Sequence, residues 1–542
     1  MTAITHPTTT PTPAAALGRA FAGLTVRQLC RGALIVASIC AGMSAVVAMQ
    51  YKAIFQGALA ESGLQALVEN PAIRILFGPP AALDDAGGFT VWRTGTPLLI
   101  LASAWILLAA TRITRGEEDA GRVDLLLAGR LRMVGLLWRS MSVIACAAVV
   151  IGAAAGVALT AAGTDVTGAA VYAGAIVGVT LTFAFGAMLA AQIMPTRSAA
   201  VGVTVGALGI ALLVRMLADG APGLAWTAWT TPFGLTARAA PYADNRVGPL
   251  LVMAGFPIAF GLAALVTAWH RDGGRGVINV STRRGPRTML LGSITGFAVR
   301  RAIRPTVGWA TGIAAYFLLV GALIASVLEF FDTNPRFAEL AAAAGVGGLD
   351  SANGFAAALF GLLAIPTGLY AATRLAALVA DEKDRRWTPL FATDVSRIRL
   401  AGTEIAVTTA GMVLLHVIAG VAMWTGAAIT GAPLTIVDAL AGTLYSAPVA
   451  WLAVGAAGLA VGWLPSAVGA IGAVPVAGGF LLNVVAESTG GPSWVADLSP
   501  FAHLAPVPDA TPDWIATSAF IIIGAGLIAL GMLGYQRRDL TT

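Results

Sequence analysis

Long runs without a single charge dominate this chain and decide the solvent in which it folds. Residues 32–51, 94–111, 140–164, 166–196, 198–214 and 247–270 contain no Asp, Glu, Lys or Arg. The same holds for 305–328, 351–373, 405–437, 439–486 and 514–536. A helix needs about 20 mostly apolar residues to cross the hydrocarbon core, where every backbone N–H and C=O must be satisfied within the segment. The 439–486 run is long enough for two crossings and is broken at Leu464-Pro465-Ser466, so twelve spans are predicted. Only 11% of the 542 residues are charged, against roughly 25% in a soluble domain. A soluble enzyme is excluded, and the fold class is an all-α polytopic membrane protein.

The few charges exclude further classes. The net charge of +6 is scattered between apolar runs and forms no basic stripe, so no nucleic-acid partner is expected. The two lysines, Lys52 and Lys383, do not stand in a G-x-x-x-x-G-K-[ST] pattern, so no P-loop is available and any ATP must be hydrolysed by another chain. Cys30, Cys40 and Cys146 lie in or beside apolar segments and define neither a disulfide framework nor a metal site. No H-E-x-x-H or G-x-S-x-G pattern lies in a span.

Orientation follows from the Lys/Arg asymmetry of the loops. Twenty-six Lys and Arg fall in 1–32, 112–139, 194–199, 270–304, 374–400 and 536–542, with 464–466 on the same side. Six fall on the other side: Lys52, Arg74, Arg93, Arg238, Arg246 and Arg336. Both termini are therefore expected in the cytosol of a cell whose cytoplasmic membrane holds the chain. Sixteen acids lie on the outer side, leaving an inner face suited to anionic headgroups or a protein partner. Residues 1–16 read as a disordered tail. Leu17 to Arg31, with Leu17, Phe21 and Leu24 at helical spacing, reads as an amphipathic helix in the inner interface.

The chain also repeats itself. Val26-Arg27-Gln28-Leu29-Cys30-Arg31 returns as Val299-Arg300-Arg301-Ala302-Ile303-Arg304, and Ala109-Ala110-Thr111-Arg112 returns as Ala371-Ala372-Thr373-Arg374. Trp226 with Thr231-Pro232-Phe233 is echoed by Trp494 with Ser499-Pro500-Phe501. Six spans precede the second copy, which makes this a parallel repeat of two six-helix halves, 17–270 and 293–542, joined by a linker at 271–292. A path for substrate is expected between them.

Both halves carry acids and arginine after their second span. Glu117, Glu118 and Arg122 are expected to face water or a partner, with Leu125 to Leu127 turned to the bundle. The second half has Asp381, Glu382 and Arg386, with Arg385-Arg386 where the first has Gly121-Arg122 and with Thr388-Pro389 interrupting the apolar end. These segments, the helix before each half and the outer Thr/Ser-Pro-Phe resemble an ABC-2 type permease. Asn70-Pro71-Ala72-Ile73-Arg74-Ile75-Leu76-Phe77-Gly78-Pro79, followed by Gly87-Gly88-Phe89-Thr90-Val91-Trp92-Arg93, is similar to fused twelve-span permeases of actinobacterial polyketide-antibiotic exporters of the tetronasin type.

The resemblance implies elbow helices before spans 1 and 7, and coupling of Glu117, Glu118, Arg122, Asp381, Glu382 and Arg386 to two copies of a separate Mg-ATP-hydrolysing subunit. It also implies an outer re-entrant segment between spans 5 and 6, which Pro222, Gly223, Pro232 and Gly234 permit. Trp226, Trp229, Phe233, Trp494 and Phe501 have two open readings, an apolar outer gate or an interfacial aromatic belt. Arg215 stands four residues before Asp219, at the spacing of a same-face ion pair; His416 reads as a helix-to-helix hydrogen bond, and Glu404 as a boundary ion pair with Arg397 or Arg399 nearby.

The expected function is export of amphipathic drugs, antibiotics or lipids, the chain itself carrying no cofactor and meeting membrane lipid and a hydrophobic small molecule. An ion-coupled carrier and a non-transporting scaffold are the alternatives. The acids lie mainly in loops and at span edges, which disfavours the carrier.

Overall fold

The computed structural model describes residues 13–54, 74, 78–128, 131–220, 222–271, 277–278, 288–333, 348, 351–489 and 493–538. The tail at 1–12, most of the 271–292 linker and most of the 70–79 motif lie outside them. Among the described residues there is no strand, and twelve helices are long and apolar enough to cross a membrane. The break expected around Pro465 is present, between Trp463 and Val468.

The chain divides into two compact units, described here one at a time. Unit one comprises residues 1–69 and 73–284 and unit two residues 70–72 and 285–542. Unit one contains α1 (Pro13–Ile54), α2 (Ala86–Ile113), the short α3 (Arg115–Asp119) and α4 (Arg122–Leu127), then α5 (Met133–Ala161), α6 (Val166–Ile193) and α7 (Arg197–Gly220). A 3₁₀ turn at Pro222–Thr230, α8 (Pro232–Ala239) and α9 (Gly248–Trp269) complete it.

Unit two contains α10 (Ile294–Thr333), α11 (Ala352–Phe360), α12 (Ala364–Lys383), α13 (Thr388–Phe391), α14 (Arg397–Thr430) and α15 (Ile436–Trp463). A broken span follows as α16 (Val468–Ala473), a π turn and α17 (Gly479–Thr489), then α18 (Ser493–Asp497), a 3₁₀ turn at Pro500–His503 and α19 (Trp514–Arg537). The order of packing recurs. In unit one α1 packs on α5, α2 on α6, α5 on α6 and α6 on α9; in unit two α10 packs on α14, α12 on α15, α14 on α15 and α15 on α19.

The helix expected to lie in the interface before each first span is not a separate element. It runs unbroken into the span, giving 42 residues in α1 and 40 in α10. At about 1.5 Å per residue each is roughly twice as long as the hydrocarbon core is thick. No proline or paired glycine interrupts the 17–52 stretch, so nothing stops the helical ladder. In α10 Pro305 removes one N–H, and the carbonyl left without a helical donor is that of Arg301. The Arg374 guanidinium turns toward that oxygen, at 3.5 Å.

The span starts are written in capping residues. Asp85 accepts from the backbone N–H groups of Gly87 and Gly88, Asp165 from Gly168, and Asp513 from Ile515 and Ala516. Each satisfies helix N-terminal donors that would otherwise stay unpaired. Packing in unit two depends on missing side chains: a Cβ at Gly462 would lie 2.1 Å from the Gly531 carbonyl oxygen, and one at Gly531 would lie 2.2 Å from that of Gly458. Without a hydrophobic drive between helices in lipid, such close backbone approach is the main source of attraction between α15 and α19.

Candidate functional site

The two repeated sequence motifs meet inside each unit. In unit one Arg112, the end of the Ala-Ala-Thr-Arg motif, donates to the Gln28 carbonyl at 2.7 Å. In unit two Arg374 reaches the Arg301 carbonyl, and Arg301 stands where Gln28 stands in the first copy. The same motif-to-motif contact thus builds one arginine-rich junction per unit.

The predicted coupling residues sort into an exposed layer and a buried one. Arg122 bonds Glu117 through Nε at 2.6 Å and Nη2 at 2.9 Å, and Arg386 bonds Asp381 at 2.8 Å, each pair five residues apart. Both arginines are exposed, at 60% and 68%. The Glu117 hydrogen bond raises the Arg122 guanidinium above its ordinary value. The turn between the pairs is left-handed in both units, at Gly121 (φ +68°) and at Arg385 (φ +56°). The Gly-to-Arg change in the repeat therefore leaves the backbone path in place at the cost of a strained residue.

Glu118 and Glu382 do not face water as the sequence predicts. Their side chains are 5% exposed, and each is held by an arginine just beyond the sixth span of its unit: Glu118 by Arg271 and Glu382 by Arg538. Tyr535 adds a hydrogen bond to Glu382 at 3.0 Å. A carboxylate beside apolar helices has to be paired, and the end of the sixth span supplies the cation. Leu125 likewise departs from expectation, being 79% exposed. A helix of six residues has too few turns to set an apolar face, and Val123 with the half-buried Leu126 and Leu127 takes the inner position instead.

The rest of each junction differs. In unit one Arg115 pairs with Glu118 at 2.7 Å and Asp119 at 3.1 Å and donates to the Pro195 carbonyl, while Asp119 accepts from the Arg197 backbone N–H at 2.8 Å. The loop is thus tied to the α6–α7 connection. In unit two Glu404 is buried between Arg301 and Arg374, and Arg301 also holds Asp381. The Arg301 guanidinium lies over the Trp387 ring, 4.5 Å from its centroid. This corrects the expected partners of Glu404: Arg399 is exposed, and Arg397 donates to the Arg538 carbonyl at 3.0 Å.

At the opposite end of each unit the repeated Thr/Ser-Pro-Phe is a helix start. Thr231 caps α8 by accepting from the Gly234 N–H, and Ser499 accepts from the Phe501 N–H, each with proline in the first turn. Phe233 is buried against Phe183 at 5.7 Å and Phe501 packs on Phe480 at 5.7 Å, whereas Trp226, Trp229 and Trp494 are exposed. The five aromatics therefore separate into two that pack inward and three that face outward. Arg215 and Asp219 form the ion pair that their spacing predicts, at 2.6 Å. His416 is fully buried, its Nδ1 2.9 Å from the Met412 carbonyl and its Nε2 3.5 Å from the Thr367 hydroxyl of α12.

Twelve apolar helices and charged junctions confined to span ends define a multi-pass helical membrane protein. Comparison with known proteins narrows the class. Residues 291–536 match the family described as multidrug efflux system permease Rv1217c, C-terminal domain. The chain is also 27% identical over 488 residues to the multidrug efflux system permease protein Rv1217c of Mycobacterium tuberculosis (strain ATCC 25618 / H37Rv), covering 88% of this chain and 86% of that one. It is thus a homologue of a permease.

Proposed function

We propose that this chain is the membrane subunit of an ATP-driven exporter of amphipathic drugs, antibiotics or lipids, with both termini in the cytosol and Mg-ATP hydrolysed by two copies of a separate nucleotide-binding subunit. The observation that carries this reading is the two-layer loop after the second span of each unit. Its outer layer presents an exposed arginine, Arg122 or Arg386, held in place by a partly covered acid, Glu117 or Asp381, and this charged surface is where a soluble partner can dock. Its inner layer, Glu118–Arg271 or Glu382–Arg538, is buried and joins the loop to the sixth span. A push delivered to the outer layer by the closing ATPase reaches a transmembrane helix through a paired charge rather than through a flexible linker, which is a rigid-body switch. Similarity to a multidrug efflux permease supports the cargo class.

The test is reconstitution with the candidate ATPase and measurement of drug export and ATP turnover. Glu117→Arg together with Arg386→Glu should abolish stimulation of the ATPase while leaving the purified permease folded, because neither side chain belongs to the buried clamp, and Arg122→Glu added to Glu117→Arg should restore part of it. Export that persists without ATP and collapses with a proton uncoupler would instead establish ion coupling.

A further inference from the structure

Unit one has a small, partly open cavity at the end opposite its junction, about 60 Å³ in volume, lined among others by Gly78, Gly95, Tyr172, Arg215, Phe233 and Thr236. One water needs roughly 10–15 Å³ of such space, so a carboxylate or phosphate group fits and a whole drug does not. Two polar groups on its wall are buried: Arg215 is 3% exposed and Tyr172 is not exposed at all. Among the described residues the Tyr172 hydroxyl has no hydrogen-bond partner. A buried hydroxyl without a partner costs about 1–3 kcal/mol, and its retention against a cavity marks a donor waiting for a ligand.

The surroundings keep this space open and positively charged. A Cβ built on Gly95 would lie 3.7 Å from the Tyr172 oxygen, in van der Waals contact, so glycine there keeps one side of the hydroxyl free of a side chain. Gly78 lies against the Arg215 guanidinium, with a positive φ of +96° and no room for a side chain, and its carbonyl is held by the Trp92 indole N–H at 3.0 Å. Arg215 is paired with Asp219, but Arg74 and Arg238 act on the same carboxylate, so three guanidinium groups surround one acid. Phe233, Leu99 and Val91 also line the cavity, so its wall has apolar as well as charged parts, which suits a charged head joined to a hydrocarbon body.

We propose that this cavity binds the anionic head, carboxylate or phosphate, of an amphipathic molecule, with Arg215 supplying the charge and the Tyr172 hydroxyl the hydrogen bond. The test uses the full chain in phosphatidylcholine nanodiscs, without nucleotide or partner subunit, so failure of this site and failure of ATP coupling are separate outcomes. Laurate and dodecyl phosphate are titrated against dodecanol, with empty nanodiscs subtracted. Both anions should saturate and dodecanol should not. Tyr172→Phe should raise the laurate Kd about tenfold with no loss of thermal stability, because that hydroxyl makes no bond among the described residues. Gly95→Val should abolish binding with Arg215 and Tyr172 intact. Displacement of laurate by millimolar inorganic phosphate would identify free anions as occupants, and its absence amphiphiles. Equal laurate affinity in wild type and Tyr172→Phe, or dodecanol binding as tightly as laurate, would overturn the proposal.

Discussion

In unit one the position on the first helix that meets the arginine after the second span is Gln28, and α5 carries no acid; in unit two it is Arg301, and α14 brings Glu404 between it and Arg374. Both junctions keep the two things that link the loop to its unit, the motif-to-motif contact and the buried acid held by an arginine after the sixth span. They differ in what else the loop holds. The first loop is tied to the α6–α7 connection through Arg115 and Asp119, the second to α10 and α14 through Arg301 and Glu404. Conserved links are those a shared motion needs, and divergent links set how stiffly each loop resists it.

The sharpest way to break this comparison is to remove the charge that only unit two has. Glu404→Ala leaves the buried Arg374 without its carboxylate and Arg301 with Asp381 alone, and should cost about 3 kcal/mol, read as a large drop in melting temperature of the purified protein, whereas Gln28→Ala should cost under about 1 kcal/mol. Next come the shared links. Glu118→Ala removes a carboxylate that Arg115 and Arg271, each 3% exposed, both hold and should cost about 3 kcal/mol; Glu382→Ala removes the carboxylate held by the more exposed Arg538 and should cost less. If the two melts fall equally, the difference in burial does not matter and the junctions are energetically alike.

Smaller changes sharpen the contrast. Arg385→Gly relieves a left-handed residue that unit one already supplies as Gly121, and should stabilise unit two by about 1 kcal/mol in the same melts. Glu117→Gln removes an exposed pair and should change stability by only about 0.2–1 kcal/mol, and the loss should shrink further in high salt. A larger loss would mean that the outer layer is structural and leaves no surface for docking.

The spans were legible because hydropathy is local: each run of uncharged residues carries its own solvent preference, and the Pro465 break needed no tertiary information. The Arg215–Asp219 pair was legible for the same reason, being one helical turn apart. The amphipathic stretches before spans 1 and 7 continue into their spans without a break, α10 even through Pro305, so the boundary between stretch and span is not written in the helical ladder. Glu404 was given neighbours in sequence, although its partners lie 103 and 30 residues away. Arg271 and Arg538 were missed because arginines flanking a span are expected from topology alone. Their signal was the repeat: each follows the sixth span of its half and each answers the second acid of the same loop.

The clamp around Glu404 also has an order of manufacture. Arg301 leaves the ribosome first, Arg374 and Asp381 follow, and Glu404 comes last, on the next span. Until it arrives, Asp381 can answer Arg301 but Arg374 has no acid of its own, and a cation at a span end is met by lipid phosphates at the headgroups. Emergence of Glu404 supplies the missing acid and draws the three helices together.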